Sequence, residues 1–73
     1  MSAMHIGMRV EALYCYGFNP DEKLSDDERR DIVEWTLRFE ECTNTREELQ
    51  AMSDKDLVAA SYGVMADYAR GQI

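Results

Sequence analysis

Residues 25–42, SDDERRDIVEWTLRFEEC, hold seven of the chain's fifteen acids, three arginines and its only tryptophan, with apolar residues at helical spacing. Ser25 with Glu28 three positions on is a capping box, and Asp26, Asp27 and Glu28 suit the positive end of a helix dipole. Ile32, Val33, Trp35, Thr36, Leu37 and Phe39 cover one broad face; Asp27, Arg30, Asp31, Glu34, Arg38 and Glu41 share the other. The spacing predicts an acidic amphipathic helix over 25–42.

Around that helix the chain has 73 residues, room for one domain close to the smallest size at which a core holds without disulfides or metal. With 45% hydrophobic and 32% charged residues, four glycines and one proline, it should fold. The net charge of -7 is unevenly placed: residues 1–23 carry -1, residues 24–43 carry -4 and residues 44–73 carry -2. Phosphate backbones and anionic membranes are bound through Lys and Arg, so direct nucleic-acid or membrane binding is not expected. No run approaches the roughly 18 apolar residues of a membrane span. Cys15 and Cys42 match no metal or redox spacing, and Arg9 and Glu11 interrupt any apolar N-terminal core, which points to a reduced, cytoplasmic protein.

Met4, Ile6, Met8, Val10, Ala12, Tyr14, Tyr16 and Phe18 occupy every even position of residues 4–18, the period of a strand, and Gly7 and Gly17 favour an extended chain. Ile6, Val10, Leu13 and Tyr14 would equally line a helix. A lone strand needs a partner for its backbone. That partner would be a hairpin within 4–18, the same strand of a second copy, or an extended peptide from another protein. This edge is a candidate interaction surface, with Tyr14 and Tyr16 as its aromatic contacts.

Asn19-Pro20-Asp21 then makes a turn. Thr45 with Glu48 opens a short helix over 45–51, and Ser53 with Asp56 opens a C-terminal helix over 53–70, with Met52 and Leu57 as a hydrophobic staple and Gly71 as a terminal cap. Ala59, Gly63 and Ala66 form a second, small-residue face on that helix. The expected fold is mainly α: two main helices and a short one, with a short N-terminal β element.

Catalytic chemistry finds little support. His5 is the only histidine and lies near the N-terminus, where a surface role explains it. The acid pairs Asp26-Asp27 and Glu47-Glu48 are explained as helix first-turn acids. His5, Cys15 and Cys42 lack zinc spacing, and the stretch from Asn19 imitates a calcium loop only at Asn19 and Asp21 before failing at Leu24 and Arg30. With no phosphate-cradling glycine loop and no G-x-S-x-G turn, no enzyme, metal or cofactor is expected.

A small acidic chain carrying SDDERRDIVEWTLRFEEC and a capped C-terminal helix resembles the phage-encoded proteins that inhibit host RNA polymerase and act as antiterminators, of the kind carried by lytic Xanthomonas phages. The resemblance implies binding to the N-terminal region of the polymerase beta-prime subunit and to the beta flap, blocking sigma-dependent initiation and promoting read-through of terminators. From the residues themselves, Tyr14, Tyr16, Asp27, Asp31, Glu34 and Glu41 are the expected contacts for a partner with a basic surface. The rivals are an acidic DNA mimic that occupies a nucleic-acid-binding protein, and a structural module that pairs with its own copy.

Overall fold

The computed structural model describes residues 3–71. They form four helices: α1 (Ala3–Tyr16), α2 (Asp26–Leu37), α3 (Arg46–Ala51) and α4 (Asp54–Gly71). Helix α4 lies against both α1 and α2, and α3 packs on α2. The core runs between them: Ile6, Val10 and Leu13 from α1, Ile32, Val33 and Trp35 from α2, Leu49 from α3, and Leu57 and Val58 from α4, with Leu24 from the connecting loop.

The expected N-terminal β element is not formed. Residues 3–16 are helical, and no strand occurs among the described residues. The even-numbered series misleads because most of it is Met, Ala and Tyr, while only Ile6 and Val10 carry the β-branching that favours extended chain. Packing reads a different set, Ile6, Val10 and Leu13 at spacings of four and three, all buried. A helix also satisfies its own backbone groups, which a strand without a neighbour does not. With the strand go the hairpin, the paired strand edge and peptide addition. Gly17, at φ 80, is the left-handed residue that ends α1, and its N–H donates to the Leu13 carbonyl at 2.9 Å.

Helix α2 is shorter than the expected span of 25–42. It begins at its formed capping box, where Ser25 Oγ accepts from Glu28 N, but it stops at Leu37. Beyond it the bonds tighten to three-residue spacing, Arg38 N to Trp35 O and Phe39 N to Thr36 O, each at 3.2 Å. Glu40 and Glu41 would put two negative charges on the negative end of the helix dipole, and the Cys-Thr-Asn run that follows propagates a helix poorly. Helix α3 starts at a second formed capping box, Thr45 with Glu48, and Ser53 Oγ accepts from Asp56 N at the head of α4. Gly71 is still helical, and the residues after it lie outside the described ones.

Two ionic struts and one buried hydroxyl pair set how the helices meet. Arg9 on α1 reaches Glu22 at 3.0 Å and Glu28 at 3.3 Å. Arg29 on α2 grips Asp54 at 2.5 Å and the Met52 carbonyl at 2.6 Å, while Asp54 also accepts from Leu24 N at 3.0 Å. Between α2 and α4, Thr36 Oγ1 donates to the Ile32 carbonyl at 2.7 Å and so accepts from Ser61 Oγ at 2.8 Å, both residues being fully buried.

Replacing Thr36 by valine strands the Ser61 hydroxyl and should cost about 1–2 kcal/mol, and Ser61→Ala about 1 kcal/mol. The double variant should cost clearly less than the sum, because both polar partners then leave together. Urea unfolding of the four proteins measures the coupling, and strict additivity would show that the two hydroxyls do not depend on each other.

Candidate functional site

The acids divide into those the protein uses internally and those it presents. Ion pairs engage Glu22 and Glu28 with Arg9, Asp54 with Arg29, Asp27 with Arg30, Glu34 with Arg46, and Asp67 with Arg70. Among the described residues, Glu11, Asp21, Asp26, Asp31, Glu40, Glu41, Glu47, Glu48 and Asp56 make no ion pair, against only three such cations, Lys23, Arg38 and Lys55. The outward charge is therefore more lopsided than the composition, because five of the six arginines are paired with acids, three of them between helices. Most of the unpaired acids lie on α2, on the turn after it and on α3.

The struts show in the titration of their members. Burial works against the charge on Arg9, but the hydrogen bond it donates to Glu22 and the attraction of Glu28 outweigh it and hold its pKa above the ordinary arginine value. Burial likewise opposes the charged form of Asp54, yet the Leu24 N–H and then Arg29 hold its pKa below the usual aspartate value. Glu22 is lowered first by the Asn19 N–H and then by Arg9. All three shifts belong to groups that fasten the fold, and each is accounted for by the contacts that do so.

The six expected contact residues do not converge on one patch. Asp27 is exposed and paired with Arg30 on its own helix at 3.0 Å, and Glu34 is tied to Arg46 of α3. Asp31 lies in a crease between α1 and α2 with Ile6, Arg9, Glu28 and Ile32. Glu41, expected on the same helix face, sits past the end of α2 in the exposed turn. Tyr14 and Tyr16, expected on a strand edge, are on α1. Tyr14 turns toward α4, stacked on Tyr62 with ring centroids 4.1 Å apart and planes 6° from parallel, while Tyr16 is 90% exposed. Tyr14 also borders a shallow groove of about 380 Å³ with Leu13, Gly17, Phe18, Lys55 and Ala59.

The strand expectation hid a different feature of α1. Met8 is 63% exposed, and it shares the outward side of that helix with Glu11, Ala12, Cys15 and Tyr16. The signal was present in the sequence as spacings of four and three, masked by the alternation running through the same residues.

Among the described residues no group of three or more His, Cys, Asp or Glu is placed to hold a metal ion, and no helix is long and apolar enough to cross a membrane. Cys15 and Cys42 are free thiols. No protein family, no curated protein and no solved structure was found to match this chain.

Proposed function

We propose that this protein works by stoichiometric binding to a cationic surface of a larger protein in the bacterial cytoplasm, and that it does not turn over substrate. Host RNA polymerase is the partner that the resemblance implies, with the beta-prime N-terminal region and the beta flap as docking places, and with blocked initiation and terminator read-through as consequences. The observation that carries this proposal is the outward charge: among the described residues, nine acids without an ion pair against three such cations, on a molecule of net charge -7. Such a surface speeds encounter with a basic patch and disfavours phosphate and anionic lipid.

Pull-down from a bacterial lysate at low and high salt tests the partner. Core polymerase should be retained at low salt and reduced at high salt; its absence at both would remove polymerase from the proposal. Reversing Asp31 and Glu41 to lysine together should weaken binding by about tenfold or more at low salt and flatten its salt dependence. The melting temperature should stay within about 4 °C, since both sit outside ion pairs. Glu34 is left intact in that variant because it holds Arg46. Unaltered affinity would take these two acids out of the interface.

A further inference from the structure

The groove between the end of α1 and the start of α4 differs in charge from the other hollows of the surface. Leu13, Tyr14, Gly17 and Phe18 line it from one side, Lys55 and Ala59 from the other, and its volume of about 380 Å³ falls in the range of small-ligand sites. The hollows beside Asp31, beside Asp26 and beside Met8 each have a carboxylate in their lining. This groove has none, and its one charged residue is Lys55, which makes no ion pair among the described residues. An exposed lysine beside apolar surface lays its methylenes along the wall and keeps its ammonium at the rim. An apolar trough with an uncompensated cation at its edge is thus set into an otherwise acidic molecule.

We infer that this groove binds an amphiphile with one apolar tail and one carboxylate, of the class of the medium-chain fatty acids. The lining selects both ends. Leu13, Gly17, Phe18 and Ala59 offer no side-chain hydrogen bond, which suits an alkyl tail and leaves the backbone of a peptide unanswered. Tyr14, stacked on Tyr62, stands as an aromatic wall, and no atom comes within 4 Å of the place a side chain at Gly17 would take, so the trough is open there. The head belongs at Lys55. That residue is in the first turn of α4, at the positive end of the helix dipole, whereas the last turn of α1 presents a negative end that repels a carboxylate. Asp54, next in sequence, is paired with Arg29, and Asp56 lies outside the lining. The net charge of -7 opposes any anion at long range, but physiological salt screens that repulsion over about 8 Å, so the cation in the lining outweighs the acids beyond it.

Titration of the nitrogen-15-labelled full chain with sodium octanoate, followed by its amide chemical shifts, tests this. Saturable shifts should centre on residues 13–18 and 55–59, with a dissociation constant of about 1 mM, the affinity open to so small a ligand on a shallow site. Hexanoate, two methylenes shorter, should bind about tenfold more weakly. 1-Octanol, with the same tail and no charge, should bind about fivefold more weakly than octanoate. Lys55→Gln should abolish that difference by weakening octanoate alone, and Ala59→Leu, which fills the trough with a good helix former, should weaken both ligands by about tenfold. Both positions are exposed, so helical circular dichroism should not change. Reversing Asp31 and Glu41 should leave octanoate binding within about twofold, because neither lines the groove, so this inference and the proposed function fail separately. Absence of saturable shifts up to about 20 mM octanoate would overturn the inference, as would equal affinity for octanoate and octanol in the wild type. So would octanoate binding undiminished by either variant, or shifts confined to residues 5–12.

Discussion

Arg29→Met should lower stability at neutral pH by about 2 kcal/mol, roughly 10 °C in melting temperature for a domain of this size, although the residue is partly exposed and sits in the first turn of its helix in no obvious core position. Its guanidinium holds Asp54 at 2.5 Å and the Met52 carbonyl at 2.6 Å, and so fastens α2 to the junction where α3 gives way to α4. Methionine keeps the apolar stem and removes only the fork. The loss stays below that of a fully buried pair because both side chains retain about a quarter of their exposure, and Asp54 keeps its bond from Leu24 N. The sign of the pH dependence follows from Asp54. Its pKa is lowered in the folded state, so the pair's contribution is fully present above the ordinary aspartate pKa of about 3.9 and disappears as pH falls through the lower folded value. The gap between wild type and Arg29→Met should therefore be widest at pH 7 and should narrow below about pH 4. Urea midpoints at pH 7, 4 and 2.5 measure it, and a gap that stayed constant with pH would show that Asp54 is not the partner that matters.

What was legible in the sequence is what short-range physics decides. Ser25 with Glu28 and Thr45 with Glu48 are complete within four residues, and both boxes are formed. The reach of a helix past its start is less local. The spacing of Phe39 and Glu41 continues the pattern of α2, but the chain turns at Arg38, where carboxylates face the helix's negative end and Phe39 swings against Tyr68 at 5.2 Å. Residues 4–18 support two periods at once, and only the neighbours decide between them. Val10 is fully buried because α2 and α4 close around α1, a fact distributed over residues tens of positions away. The candidate site was obscured for the same reason. Exposure of an acid can be guessed from a helical wheel, but the tie of Glu34 to Arg46, the placing of Asp31 in a crease beside Arg9, and the stacking of Tyr14 on Tyr62 are set by how helices meet.

Trp35→Ala should leave the protein largely unfolded at 37 °C. Trp35 is 7% exposed, meets Phe39 edge to face at 5.0 Å, and reaches between helices to lie beside Gly7 of α1. A methyl group added at Gly7 would sit in ordinary van der Waals contact with the indole Cζ2 at 3.4 Å and with the Met65 sulfur at 3.7 Å, which puts the indole against both α1 and α4. One ring thus fills the space where α1, α2 and α4 meet. Removing it costs about 3–5 kcal/mol in transfer and cavity terms, against a total of about 4–10 kcal/mol for a chain of this length. Trp35→Phe keeps an aromatic edge against Phe39 and should cost only about 1–2 kcal/mol. Because the chain has no other tryptophan, circular dichroism at 222 nm, read against temperature, has to replace fluorescence for both variants. Tyr16→Ala, at a residue 90% exposed, is the matching control and should melt within a few degrees of wild type. If Trp35→Ala instead melted cooperatively near the wild-type temperature, the three helices would have to be held by contacts other than this ring. The burden would then shift to Val10 of α1 and Leu57 of α4, both with no exposure at all.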